Sequence, residues 1–216
     1  MDHVDPAVVA VNTLDVECMR GGAPMCTGTL VRPAVVLTAA HCVRDEAPSS
    51  LAVLFGDEGD PGRGPPGAGL EGRFFHVTAV RIHPGYRADD LANDVAVLEL
   101  ESAATAVPVP LAADANAAGS PARAVGFGTA GSDGSSYKRT GDVTVTAVRE
   151  TEFTYAAAPA MTCGGDSGGP VFRAREGGGD EIIGVTSRGD ASCREYGIAI
   201  RVDTLPSDFI ERKPSP

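Results

Sequence analysis

Short apolar stretches rich in Val, Ile, Thr and Phe, each closed by Gly, Pro or Asp, recur along the whole 216-residue chain. They fall at 7–11, 26–31, 35–39, 51–56, 74–83 and 95–100, and again at 122–128, 142–148, 152–158, 170–174, 182–187 and 197–202. Runs of this length between turn residues predict strands rather than helices. Six lie in each half, and between them Ala103 to Gly119, rich in Ala and Pro, reads as a connector. The expected fold class is all-β, two packed six-stranded barrels, with subdomains at 1–108 and 109–216 forming one structural unit. Helical patterning is confined to the turn after His41 and to a short C-terminal helix near 204–212. No run approaches the length of a membrane span, and no heptad or fixed-period repeat is present. The stretch Gly56 to Gly72 is a long Gly/Pro loop carrying Asp57, Glu58 and Asp60; it reads as a solvated loop, with a calcium site as the competing reading.

Composition narrows the function classes. A hydrophobic content of 43% is ample for a core. Lys and Arg total 18 against 29 Asp and Glu, a net charge of -11, which opposes partners such as nucleic acid or an anionic membrane. Four of the five cysteines lie in motifs considered below, and Cys18 is left over. No cysteine pair has metal-ligand spacing with a histidine partner, so neither a metal nor another cofactor is expected.

The chemistry concentrates in Cys163-Gly164-Gly165-Asp166-Ser167-Gly168-Gly169-Pro170. Gly165, Gly168 and Gly169 let the backbone turn sharply and bring N–H groups to one point beside the Ser167 hydroxyl, where they can hold a developing oxyanion. Taken alone, Gly-Asp-Ser-Gly is equally an ordinary Gly-rich turn. A serine hydroxyl needs a base to take its proton, and the base needs a third group to fix its tautomer. Of the four histidines, His41 in Leu37-Thr38-Ala39-Ala40-His41-Cys42 has small neighbours and follows the apolar run Val35-Val36-Leu37. For the carboxylate, Asp94 stands at the mouth of the apolar strand from Val95 to Leu100, whereas Asp89 and Asp90 sit in a polar stretch. A structural histidine at a strand end and a strand-capping aspartate are the competing readings.

These residues resemble the chymotrypsin-like (trypsin-fold) serine proteases, in particular the bacterial secreted trypsin-like type. The resemblance runs through Cys26-Thr27-Gly28-Thr29-Leu30, Thr38 to Cys42, His83-Pro84-Gly85-Tyr86, Asn93-Asp94, Gly126-Phe127-Gly128, the serine loop and Gly184 to Gly189. It implies Greek-key barrels with His41 and Asp94 in the first and Ser167 in the second, and a cleft between them. By the same resemblance His41 is general base and then acid, Asp94 its orienting anion and Ser167 the nucleophile of an acyl transfer. The N–H groups of Gly165 and Ser167 become the oxyanion hole, Ser187 the serine bonded to the buried aspartate, and Ser187 to Gly189 the strand that pairs with substrate. It also implies the disulfides Cys26–Cys42 and Cys163–Cys193, hence an oxidising, secreted or periplasmic setting. The partners implied are protein or peptide substrates and proteinaceous inhibitors of a monomeric endopeptidase. A non-catalytic binding or regulatory relative is the alternative; an α/β-hydrolase esterase fails because Ser167 follows the histidine and lacks a strand-to-helix elbow.

Two departures from the family pattern stand out. At the floor of the specificity pocket the resemblance puts Met161, with Thr162 and Gly164 beside it and Gly189 and Gly197 as walls, which favours apolar side chains. Asp190 near the entrance favours a basic side chain instead, and Arg188 replaces the family's usual tryptophan. Secondly, the chain opens Met1-Asp2-His3-Val4-Asp5-Pro6 with neither an Ile-Val-Gly-Gly terminus nor a signal-peptide pattern. It therefore reads as lacking its leader and activation segment, with activation-linked Asp166 left near a core without an evident counter-ion. The expectation is a zymogen-like chain of weak activity despite an intact triad.

Overall fold

A computed structural model describes residues 5–15, 20–59, 73–129 and 137–211. The leftover Cys18 and the Asp60–Gly72 part of the candidate calcium loop lie outside them. Twelve strands among the described residues form two closed antiparallel barrels. The first comprises β1 (Val8–Asp15), β2 (Arg20–Arg32), β3 (Val35–Thr38), β4 (Leu51–Leu54), β5 (Phe74–Ile82) and β6 (Ala96–Leu100), ordered β1-β2-β3-β6-β5-β4. The second comprises β7 (Pro121–Gly126), β8 (Arg139–Val148), β9 (Glu152–Ala157), β10 (Pro170–Ala174), β11 (Asp180–Gly189) and β12 (Gly197–Arg201), ordered β10-β11-β12-β9-β8-β7. All six strands on each side are thus the predicted ones, several of them longer than the apolar run alone.

Strand parity explains how the barrels dock. On β1, Val9 and Val11 belong to the first barrel's interior with Leu30, Val36, Leu51 and Leu98. Their neighbours Val8 and Ala10, with Leu37, Val95 and Val97, join the apolar cluster of the second barrel. Successive residues of a strand point to opposite faces, so the part of β1 wedged between two cores, Val8 to Val11, is apolar at every position. Burying each such Val or Leu contributes about 1.5–3 kcal/mol, which ties the two barrels into one body.

The expected C-terminal helix is instead a chain of turns. Leu205, Phe209 and Glu211 N–H groups donate to the carbonyls of Val202, Pro206 and Asp208, each three residues back. Pro206 has no N–H and disfavours the helical region at Leu205. Phe209, buried, then packs edge-on against His83 with ring centroids 5.3 Å apart, and its carbonyl accepts from Arg81 Nε at 3.2 Å. Tertiary anchoring of one side chain overrides a weak helical pattern. The predicted turn after His41 is present as α1 (Ala40–Val43).

Candidate active site

Pairing of β3 with β6 sets Thr38 opposite Ala96, so the segments that leave those strands, 39–41 and 93–95, face each other. Asn93 is in the left-handed region (φ 51), and its carbonyl accepts from Val95 N–H at 2.8 Å, a tight turn that aims Asp94 inward. Asp94 is fully buried. Three donors meet its carboxylate: His41 N–H on Oδ1 at 2.8 Å, and His41 Nδ1 and Ser187 Oγ on Oδ2 at 2.7 and 2.6 Å. A buried carboxylate demands such partners. With Nδ1 engaged as donor, Nε2 of the ring is left as the acceptor.

Ser187, on β11 of the second barrel, is also where the serine loop arrives. Ser167 Oγ donates to the Ser187 carbonyl at 3.4 Å. Cys42 Sγ lies 3.9 Å from the Ser167 carbonyl oxygen and 3.7 Å from His41 Nε2, so serine and imidazole adjoin the same sulfur. The serine hydroxyl is turned toward Ser187, whose own hydroxyl bonds the Asp94 carboxylate. Both expected disulfides are formed, Cys26–Cys42 under the histidine and Cys163–Cys193 between the serine loop and the turn after β11. Cys26, His41 and Cys42 lie close enough to suggest a metal cluster, yet their sulfurs are bonded to each other and offer no thiolate.

The serine loop is held by both barrels. Thr27 of β2 donates its N–H to the Ser167 carbonyl at 2.8 Å and its hydroxyl to the Gly165 carbonyl at 2.8 Å, and the same hydroxyl accepts from Phe127 N–H at 3.0 Å. Gly168, at φ +83, lies so close to the Thr27 carbonyl and Thr38 hydroxyl that no Cβ fits. Among the described residues the N–H groups of Gly165 and Ser167 donate to no protein acceptor, which leaves both for a ligand.

Asp166 points away from the serine. Its oxygens accept from Gly128 N–H and Cys163 N–H, each at 2.8 Å, and it faces a cavity of about 540 Å³ that Arg139 also lines. Burial pushes its pKa up, while the two N–H groups and the Arg139 charge pull it down. The carboxylate is thus not without a counter-charge, contrary to the sequence expectation. A Cβ on Gly128 would strike this carboxylate, the physical reason for glycine at that place in Gly126-Phe127-Gly128. His41, Ser167, Gly189 and Gly197 do not line this cavity.

The expected specificity residues divide into two groups. Gly189 pairs with Gly197, and Gly197 with Tyr155 of β9, whose ring occupies the space a Cβ at 197 would take. The Tyr155 hydroxyl bonds Thr162 Oγ1 at 2.7 Å and Thr186 Oγ1 at 3.4 Å. Burial holds its pKa up at about 12, so it stays neutral. Met161 is half-buried against the second-barrel core, and Gly164 is exposed. Arg188 and Asp190 are engaged elsewhere. Arg188 Nη2 donates to Glu152 Oε2 at 2.6 Å. Asp190 accepts from the N–H groups of Arg194, Glu195 and Tyr196 and from Ser192, and these bonds, the Ser192 one first, hold its pKa low. It staples its own loop. Tyr155 and Arg139 carry site geometry that the sequence did not single out, and Thr27 entered only as part of the Cys26–Leu30 motif, without a role.

The family model described as Trypsin matches residues 7–207. A trypsin of Saccharopolyspora erythraea is 31% identical over 231 aligned residues, covering 98% of this chain and 93% of the relative. Trypsin alpha-4 of Lucilia cuprina is 30% identical over 81% of this chain and 71% of its own length, and trypsin beta of Drosophila erecta is 28% identical over 81% and 72%.

Proposed function

Since this chain belongs to the trypsin family, we propose that it is a serine endopeptidase in which Ser167, His41 and Asp94 carry out peptide hydrolysis through an acyl-enzyme. The observation that carries this reading is the buried Asp94 carboxylate with the backbone N–H and Nδ1 of His41 and the Ser187 hydroxyl upon it. That arrangement fixes the tautomer with Nε2 free to accept a proton.

In the proposed reaction the Ser167 hydroxyl swings from the Ser187 carbonyl to His41 Nε2, gives up its proton there and attacks the substrate carbonyl carbon. The oxygen that becomes negative is met by the N–H groups of Gly165 and Ser167, each worth roughly 2.7–4 kcal/mol of barrier. The C–N bond breaks as His41 hands its proton to the leaving amine. Water then repeats the sequence on the ester and restores the hydroxyl. Asp94 keeps its bond to Nδ1 throughout and stabilises the imidazolium.

For the residue preceding the cleaved bond we infer an apolar preference. Thr162, Gly189, Gly197 and the neutral Tyr155 hydroxyl supply no charge, and Asp190 is consumed by its loop. The two disulfides favour an oxidising compartment outside the cytosol. The partners in this reading are protein or peptide chains, including protein inhibitors that present a loop to the cleft, and the enzyme acts as a monomer.

An alkyl fluorophosphonate probe, which needs only a reactive serine, tests the reading. Expected is covalent labelling of the native chain, blocked in Ser167→Ala and lost in His41→Ala. A folded native chain that stays unlabelled would mark it as a non-catalytic relative.

A further inference from the structure

The oxyanion amide of Gly165 lies at the end of a hydrogen-bonded path that begins on a cation. Arg139, the first residue of β8, donates from Nη1 to the Gly128 carbonyl at 2.9 Å. That carbonyl shares its peptide unit with Thr129 N–H, which donates to the Gly164 carbonyl at 3.0 Å. The Gly164 carbonyl in turn shares its peptide unit with Gly165 N–H. Each peptide that accepts at oxygen becomes a stronger donor at nitrogen, so successive units polarise one another. A guanidinium at the head of the path, always charged, sends that polarisation toward the Gly165 proton. Arg139 acts through Asp166 as well. Gly128 N–H bonds Asp166 Oδ1, Cys163 N–H bonds Oδ2, and Arg139 lines the same cavity as the carboxylate. The cation thus restrains both flanks of the serine loop, at Gly128 and, through its charge, at Asp166.

We infer that Arg139 is a positioning residue for the oxyanion hole, fixing and polarising the Gly165 N–H through the Gly128–Thr129 and Gly164–Gly165 peptides. The inference rests on the serine-peptidase reading and adds to it a residue outside the triad, its cleft and its disulfides. It requires that removal of the guanidinium weaken transition-state stabilisation more than substrate binding or global stability. It also requires that the Gly165 amide sense a side chain that does not touch it.

The test uses the whole chain with Arg139→Met and Arg139→Lys. In the native background the second-order rate of fluorophosphonate labelling is expected to fall about 10- to 100-fold for Arg139→Met, less than outright loss of an oxyanion donor, and to recover partway for Arg139→Lys. A peptidyl boronate, which mimics the tetrahedral oxyanion, should lose affinity by a similar factor while a reversible peptide lacking that oxyanion binds unchanged. Equal losses for both ligands, or Arg139→Met labelling as fast as the native chain, would overturn the inference. Because the labelling assay also depends on Ser167 being reactive, the amide proton of Gly165 is followed by NMR in Ser167→Ala. There Arg139→Met should move that resonance upfield, with the signals of the first-barrel strands unmoved. An unmoved Gly165 resonance refutes the path even if the serine is reactive, and a shifted one supports it even if the native chain fails to label.

Discussion

Asp94 and Asp166 are both withdrawn from water, and their partners give them opposite tasks. Asp94 is saturated by the groups it orients, His41 and Ser187, and can serve as a fixed anion. Asp166 has two backbone N–H donors and the charge of Arg139, yet burial outweighs them and raises its pKa from the ordinary 3.8. Between 3.8 and that raised native value the folded chain binds more proton at this site than the unfolded chain does. This group therefore makes stability fall as pH rises through the window, and above the native value its cost is constant. Asp166→Asn removes the titration. Urea unfolding at a series of acidic pH values should give a native chain whose unfolding free energy carries a negative contribution to its slope that the variant lacks. Parallel curves for the two proteins would show that the raised pKa is not a property of the folded state.

At the scale of elements, the serine loop is shaped by how closely it presses on the first barrel. Gly168 combines a φ of +83 with contacts to the Thr27 carbonyl and Thr38 hydroxyl, and a Cβ there would also come within 2.8 Å of Ala39 N. Gly168→Ala should accordingly cost roughly 3 kcal/mol or more, since neither backbone nor φ can yield, and a thermal melt reads it as a markedly lower midpoint. A melt like that of the native chain would mean that the loop can retreat from β2 and β3. Much of this architecture was legible beforehand, because the parts of β1, β3 and β6 that face both cores carry apolar runs at Val8–Val11, Val35–Leu37 and Ala96–Leu98. The His41, Asp94 and Ser167 motifs were legible as local chemistry. What escaped depends on register. Tyr155 reaches Thr162 and Gly197 only because β9 pairs with β12 in one alignment, and a slip of one residue would turn it to the other face. The bond of Arg139 to the Gly128 carbonyl and the loop-stapling role of Asp190 escaped for a related reason: they rest largely on backbone groups, which no side-chain pattern reveals. The C-terminal turns defeated the helical expectation because Pro206 and the seat of Phe209 outweigh local propensity.

For the molecule as a whole, the site exists only while the barrels stay in one relative position, and neither disulfide joins them. Cys26–Cys42 lies within the first barrel and Cys163–Cys193 within the second. Apart from apolar contact, docking at the site falls to a few polar bonds, and Thr27 makes three of them. Its N–H meets Ser167, while its hydroxyl both donates to Gly165 and accepts from Phe127, and Thr27 itself is fully buried. Thr27→Val keeps the shape and the N–H bond but deprives the buried Phe127 N–H and the part-buried Gly165 carbonyl of this partner. A fully buried orphaned group costs about 1–3 kcal/mol and the part-buried Gly165 carbonyl less, so a loss of roughly 2–4 kcal/mol is expected from urea unfolding. The same change frees the peptide that follows the oxyanion amide, and fluorophosphonate labelling should slow even at temperatures where the fold is intact. Thr27→Ser retains the hydroxyl and gives up one buried methyl, about 1 kcal/mol, with labelling close to that of the native chain. Should the Ser variant lose more stability and reactivity than the Val variant, the methyl rather than the hydroxyl would be what joins the barrels, and the polar account of their docking would fall.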